Sequence, residues 1–402
     1  MPRIGTISTD HADRVRDAGG EPVLLALPAT PPEYGVALVR EWVADATAAS
    51  CVTEDLDALL LDAASPEELA GLLLGALRLN LPAVAVRRAT SVSVALAALG
   101  LAPLEEDPAE VAVEVARSHG PDPAQLTGTF AFANALRAGL SAGAGPELLV
   151  HLSALAREAG ATGFSQMLRV LTPESPVVAG PGSPWFRKYG AAGLLAYLGD
   201  ALHSVPTVAG QLKSFLPDPP PDPGGRETRM VFVQGRASGT EAVCRVSGEV
   251  PEISGECRVF YSEEDATQAV VEDDLSSSLL VVGGYGPQGG PGLSRLDRLG
   301  DALEEAGLAG SVTVLTDGLA PEGAGPWVSL ASPEAAADGV IGRLRDGDTL
   351  KINLDEGRIR TRVTAEEFEL RTPYEVSMAS GYGYEARYVR LALPALEGAG
   401  FG

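Results

Sequence analysis

The segment Gly283-Gly284-Tyr285-Gly286-Pro287-Gln288-Gly289-Gly290-Pro291-Gly292 follows an apolar run, Leu279 to Val282. Glycine lets backbone N–H groups come close to an anion, so the segment reads either as a substrate-binding loop or as a structural turn. It lacks the Lys-Ser/Thr pair that completes a P-loop, and its prolines block the helical start of a dinucleotide fingerprint. Thr316-Asp317-Gly318 closes another apolar run, and Leu319 to Gly325 forms a second glycine- and proline-containing loop. Asp317-Gly318 reads first as a turn, with a second pocket loop as the alternative. The four histidines are His11, His119, His151 and His203, and none has a second His or a Cys at metal-ligand spacing. His151 lies inside Leu148-Leu149-Val150-His151-Leu152, which favours a core histidine over a catalytic one. His11 follows Asp10 in what reads as a short polar loop, where the bland alternative is a solvated pair. No Ser-His-Asp arrangement follows from spacing, because triads are defined by geometry. The acidic runs Glu263-Glu264-Asp265 and Glu272-Asp273-Asp274 read as solvated faces rather than metal sites.

Composition narrows the partners. The chain has 402 residues and a net charge of −24, which repels phosphate backbones and anionic lipid, so nucleic acid and membrane surface are not expected. Hydrophobic residues at 45% require a folded protein, and aromatics at 5% leave Ala, Val and Leu to build its core. Three cysteines without a CxxC pair argue against a disulfide framework and for a reducing cytoplasm. Met1 to Asp10 shows no secretory signal, and Leu69 to Val86 is broken by Arg78, Asn80 and Pro82, so it reads as a buried helix turning into a strand. Only Lys188, Lys213 and Lys351 are lysines, an arginine bias that suits a GC-rich bacterial genome.

The elements that must carry these residues divide at the proline-rich stretch 217–225, whose prolines cannot enter a helix interior or a central strand. The expected fold class is α/β: an N-terminal α/β domain, 1–216, with a parallel sheet and many helices, a linker, 217–225, and a mostly-β, barrel-like C-terminal domain, 226–402. Before the linker, Val36 to Ala49 reads as a helix, Leu56 to Leu61 as a strand, Pro66 to Leu79 as a helix capped by Ser65, Ala83 to Val86 as a strand and Glu147 to Ala159 as a helix. After it, Met230–Val233, Ala242–Val246, Arg258–Tyr261, Leu279–Val282, Ser311–Leu315, Thr349–Leu354 and Arg358–Val363 read as strands.

Several stretches, in order along nearly the whole chain, resemble the dihydroxy-acid and phosphogluconate dehydratase family. They are Arg40-Glu41-Trp42-Val43-Ala44-Asp45, Gly75-Ala76-Leu77-Arg78-Leu79-Asn80-Leu81-Pro82, Ala97-Ala98-Leu99-Gly100-Leu101, His151 through Glu158-Ala159-Gly160, Tyr285 to Gly292, and Thr316-Asp317-Gly318 followed by Ser332-Pro333-Glu334-Ala335-Ala336. The resemblance implies β-hydroxy-acid dehydration with an iron–sulfur cluster on three cysteines and a divalent metal. It also implies a homodimer, and Tyr384 to Leu391 resembles the family's terminal helix, as expected of a complete chain.

This chain departs from the family at the residues that do the work. The loop of the first cysteine is deleted, since Ile4–His11 passes almost directly to Arg16–Gly20. Ser65-Pro66-Glu67 stands at the family's Cys-Asp-Lys run, and Val86 to Ser91 bridges the place of the third cysteine. Tyr285 occupies the position of a metal-binding glutamate, Pro321 beside Glu322 that of the serine base, and Gly145-Pro146-Glu147 that of a polar run before the histidine. Cys51, Cys244 and Cys257 match no ligand position. The expectation is therefore no cofactor and no metal. Glu67, Glu147, His151, Tyr285 and Glu322 are the candidate catalytic residues, and Ser65, Gly286, Gln288, Gly289, Gly290 and Asp317 the candidate substrate contacts. Two functions remain open: an acid/base lyase, isomerase or cyclase on a carbonyl- or hydroxyl-bearing small metabolite of bacterial specialised metabolism, or a non-catalytic pseudoenzyme that pairs with or regulates an active dehydratase.

Overall fold

The computed structural model describes residues 1–225, 228–235, 240–248, 252–272, 275, 278–290, 292–322, 325–377 and 382–402. The chain forms two compact units, one of Met1–Pro32, Val39–Ala144 and His151–Arg226, the other of Glu33–Leu38, Gly145–Val150 and Glu227–Gly402.

The first unit is built on a four-stranded parallel sheet. Its strands are β1 (Arg3–Thr6), β2 (Glu21–Leu24), β3 (Ala58–Leu61) and β4 (Ala83–Ala85), in the order β2-β1-β3-β4. A short hairpin, β5 (Pro206–Thr207) and β6 (Gly210–Gln211), stands apart. β3 and β4 are the two strands anticipated from their apolar runs, paired Leu59↔Ala83 to Leu61↔Ala85. β1 and β2 were not anticipated, because four residues containing Gly or Pro carry too little pattern to register. The helix Pro66–Leu79 has the expected bounds: Ser65 Oγ accepts the Glu68 N–H, proline opens the first turn, and Asn80 closes it at φ +49°. Helices Val36–Val52, Ser91–Leu99, Thr129–Ser141 and Glu147–Glu158 supply further apolar faces.

The second unit is a closed eight-stranded barrel, of which sequence periodicity gives every wall strand but one. The strands are β7 (Thr228–Gly235), β8 (Glu241–Ser247), β9 (Glu252–Phe260), β10 (Ser278–Val282), β11 (Thr313–Thr316), β12 (Trp327–Ser332), β13 (Thr349–Asn353) and β14 (Arg358–Thr361). Around the barrel they run β10-β11-β12-β8-β7-β14-β13-β9. Alternation divides the side chains. Leu279 and Val281 of β10 point into the bore with Cys257 and Val328, while Leu280 and Val282 meet Leu299 and Val270 of helices Asp297–Glu305 and Glu263–Glu272 outside. β12 escaped the sequence pattern because Ser329 and Ser332 interrupt its apolar residues. Among the described residues no helix is long and apolar enough to cross a membrane.

Candidate functional site

In the barrel unit the glycine loop leaves β10 and is pinned from below by two buried carboxylates. Asp317, at the end of β11, accepts the N–H groups of Gly284 (3.0 Å) and Ala335 (2.9 Å) on Oδ2 and that of Tyr285 (2.9 Å) on Oδ1. Glu334 accepts Gln288 N–H on both oxygens and Gly289 N–H on Oε2, each at 3.0 Å. A Cβ on Gly286 would sit 2.4 Å from Glu334 Oε2, and one on Gly318 would sit 2.7 Å from Tyr285 Cβ, so only glycine permits this approach. Burial pushes the Asp317 carboxyl up against the pull of its backbone donors. Burial, with the neighbouring Asp317 charge, pushes Glu334 up to about 7.

The structure thus brings Tyr285, Gly286, Gln288, Gly289, Gly290 and Asp317 together, but not as an open anion cradle. The N–H groups of Gly284, Tyr285, Gln288 and Gly289 donate to the protein's own carboxylates, and Gly290 N–H donates to Gly286 O at 3.0 Å. Asp317 braces the loop through these three backbone bonds. Pro291 lies outside the described residues. The recess beside Glu334 and Gln288 holds only about 80 Å³, against roughly 300–1,000 Å³ for a small-molecule pocket. The Tyr285 hydroxyl accepts the Glu263 N–H at 2.6 Å and keeps its own proton, since burial raises its pKa.

The remaining candidates disperse. Glu147 is buried in the first turn of helix Glu147–Glu158, where Oε1 accepts Gly145 N–H at 3.2 Å and Oε2 lies 3.7 Å from Arg295 Nη1. Glu322 is exposed, which removes the burial its catalytic assignment required. Glu67, Ser65 and His151 belong to the other unit. Ser65 is a helix cap, Glu67 is half-buried in the first turn beyond it, and His151 is buried in its helix. Of the acidic runs, Glu263-Glu264-Asp265 opens a helix, and Asp273-Asp274 lie outside the described residues.

A different constellation stands in the first unit at the carboxyl ends of its strands. β1 leads to β2 on one side, and β3 leads to β4 on the other, so the neighbours β1 and β3 mark the switch point where open parallel sheets place ligands. His11 is not in a polar loop beside Asp10. It lies in helix Thr9–Asp17, the element after β1, and is buried with its Nε2 2.9 Å from Asp62 Oδ2. Asp62 directly follows β3. Arg88, beyond β4, donates to it in a fork, Nε to Oδ1 at 2.7 Å and Nη2 to Oδ2 at 2.9 Å. Burial favours protonation of Asp62, but the bonds and charges of Arg88 and His11 outweigh it and hold the carboxyl below its ordinary value. An ionised Asp62 only accepts, so His11 Nε2–H is the donor in this bond and Nδ1 is the ring nitrogen turned away from it. Arg88 is exposed, and its turn is held by Ser93 Oγ, which accepts the Arg88 N–H at 3.1 Å. A base oriented by a carboxylate beside an accessible guanidinium can take a proton from a small anion.

Sequence reading did not assemble this trio because 51 residues separate His11 from Asp62 and β1 carried no signal. The available clue was Asp62 itself, a charge placed directly after the apolar run Leu59-Leu60-Leu61.

The donor chemistry does not fit an iron–sulfur cluster. Burial pushes the Cys51 thiol up to about 11, aided by Glu54, and pushes Cys244 and Cys257 up to about 12, the latter aided by Asp348 and Asp346. Cluster ligands are thiolates, whereas these groups stay protonated in apolar surroundings. Among the described residues no three His, Cys, Asp or Glu side chains are grouped closely enough to hold a metal ion.

The scaffold is a parallel-sheet unit and an eight-stranded barrel whose glycine loop is braced by two acids, and its sequence matches are to dehydratases. Residues 219–399 match the dihydroxy-acid/6-phosphogluconate dehydratase C-terminal family. The chain is 31% identical over 294 residues to a dihydroxy-acid dehydratase of Citrifermentans bemidjiense, covering 67% of this chain and 53% of that protein. It is 30% identical over 325 residues to a dihydroxy-acid dehydratase of Geobacter metallireducens, covering 72% and 57%. The chain belongs to the dihydroxy-acid/6-phosphogluconate dehydratase family, as a divergent member that spans about half the length of the curated relatives it matches.

Proposed function

We propose that this chain is a cluster-independent acid/base enzyme, a lyase or isomerase that removes the proton next to the carbonyl or carboxyl group of a small organic acid. The observation that carries this is the His11–Asp62 bond at the switch point with Arg88 beside it. Arg88 uses Nε and Nη2 on Asp62, and its remaining amino group suits a substrate carboxylate. His11 Nδ1 accepts the proton, and Asp62 stabilises the imidazolium that results. Returning that proton to a neighbouring carbon isomerises the substrate; giving it to a departing hydroxyl eliminates water. The homodimer implied by the family resemblance is part of the same proposal, and native mass measurement decides it.

The test is α-proton exchange. Wild-type protein is incubated in D2O with 2-keto acids, 2,3-dihydroxy acids and 6-phosphogluconate, and proton NMR follows the C–H signals. We expect exchange of at least one acid, slowed about 10²-fold or more by His11→Asn and weakened chiefly in KM by Arg88→Met. Absence of exchange throughout the panel, or full activity in His11→Asn, overturns the proposal. The non-catalytic alternative draws support from one observation, the engagement of Asp317 and Glu334 in bracing the loop. It predicts binding without exchange.

A further inference from the structure

Three aromatic side chains of the first unit converge on helix Pro184–Leu198, in a chain with only 5% aromatics. The ring centroids of Trp185 and Tyr189 are 5.1 Å apart, and Trp185 meets Tyr197 edge-on at 6.0 Å. In an unbroken helix the rise of about 1.5 Å per residue would carry Tyr197 about 18 Å beyond Trp185. Gly190 interrupts the helix at φ +64° and ψ −166°, a backbone conformation open to glycine, and the chain turns back there. The interruption builds an aromatic face that a straight helix lacks.

The proline-rich stretch lies on this face. The Trp185 Nε1–H donates to Pro221 O at 2.9 Å. A Cβ on Gly193 would sit 3.7 Å from Pro220 Cγ, so the pyrrolidine ring rests against the bare backbone of the helix. Local chemistry shapes the segment. Proline holds φ near about −65°, and a residue before proline is driven to an extended ψ, so Pro219-Pro220-Pro221-Asp222-Pro223 is biased to polyproline II. That conformation has about three residues per turn, which sets Pro220 and Pro223 on one side. These two are the partly buried members, whereas Pro219, Pro221 and Asp222 are exposed. Asp222 Oδ1 then accepts the Gly224 N–H at 2.9 Å, and Gly224 turns to φ +75°, which ends the run. All of it falls within the first compact unit.

We propose that Trp185, Tyr189 and Tyr197 form a polyproline-recognition groove whose ligand is this chain's own segment 219–223, docked as a strut rather than left as a tether. Polyproline II makes no internal hydrogen bonds, so its carbonyls stay open to a donor, and its preset shape loses little entropy on an aromatic surface. An indole supplies both partners, a ring face for pyrrolidine and one N–H for a carbonyl. The segment's backbone already takes that N–H, and its burial recurs at the period of the conformation.

Proton–nitrogen NMR of the full chain with ¹⁵N-labelled indoles tests this. The chain has 3 tryptophans, and Trp185→Phe identifies the Trp185 signal by its loss. Its indole N–H is expected to exchange with D2O at least about tenfold more slowly in wild type than in the variant Pro220→Gly/Pro221→Gly/Pro223→Gly, whose strut is released. A synthetic peptide with the sequence of residues 216–225 should then bind the variant saturably and shift the Trp185 signal. Wild type should take up the same peptide at least about tenfold more weakly, because the tethered segment competes at about millimolar effective concentration. Far-UV circular dichroism checks the variant's fold, and if it does not fold, wild type alone decides: a Trp185 indole exchanging as fast as free tryptophan overturns the proposal. So does an indole signal and exchange rate shared by wild type and a folded variant. Failure of the folded variant to bind the peptide, or equal binding of a control peptide with glycine at the same three prolines, overturns it as well.

Discussion

Glu334 sits among the motifs that looked familiar in the sequence, yet its type alone gave no role. Its geometry makes it a buried carboxylate that holds Gln288 and Gly289. Burial first, and the Asp317 charge second, raise its pKa from 4.5 to about 7. The sign follows from linkage. The folded state binds this proton more tightly than the unfolded chain, so the cost of ionising Glu334 is absent below about pH 4.5, grows as pH rises, and is complete above about pH 7. A difference of that size corresponds to about 3 kcal/mol. Glu334→Gln keeps an oxygen to accept the loop N–H groups and carries no charge. Chemical denaturation at pH 5 and pH 8 should therefore show the variant gaining on wild type at the higher pH, by up to that amount. An equal difference between the two proteins at both pH values would show that Glu334 does not titrate in this window. His11 and Asp62 teach the same lesson at residue scale: a side chain's role came from its neighbours, and those neighbours were distant in sequence.

Three motif stretches that carried the family resemblance meet in one charge network among the helices of the first unit. Arg40, 0% exposed, donates to Glu41 Oε1 at 2.9 Å. Arg78 reaches Glu41 Oε2 at 2.7 Å, Asp45 Oδ1 at 2.6 Å and Glu158 Oε2 at 3.4 Å. The network ties helices Val36–Val52, Pro66–Leu79 and Glu147–Glu158, which gives these charged positions a structural role. Gly71 and Gly75 let the helices approach, since a Cβ at either would lie 2.7 or 2.8 Å from Val43 or Thr47. Glu41→Ala removes a buried carboxylate shared by Arg40 and Arg78, and about 3–5 kcal/mol of stability should be lost. Asp45→Asn, at the partly exposed edge, should cost no more than about 1 kcal/mol. Comparable losses in denaturant titrations of the two variants would mean that burial does not govern the network. The elements themselves were readable where capping or a continuous apolar run marked them, as in Pro66–Leu79 and β10. They were unreadable where strands were very short, as in β1, or broken by polar residues, as in β12.

At the scale of the whole molecule, both units face the same shortage of aromatic bulk and fill their interiors with small apolar groups. The three thiols take part in that filling. Cys244 and Cys257 are fully buried in the barrel core, and Cys51 is buried in helix Val36–Val52 of the first unit. Two consequences follow from one cause. A buried thiol packs like a small hydrophobe, and desolvation of its thiolate suppresses its reactivity as nucleophile or ligand. Native protein treated with Ellman's reagent should therefore release almost no thionitrobenzoate, whereas protein in guanidinium chloride should release the equivalent of all three cysteines. Reconstitution of the native chain with iron and sulfide should add no visible absorbance from thiolate-to-iron charge transfer, because burial holds each thiol protonated in apolar surroundings. Fast modification of any thiol in the folded protein would show that the sulfur is not core filling, and a cluster signal would restore the family's chemistry to this chain.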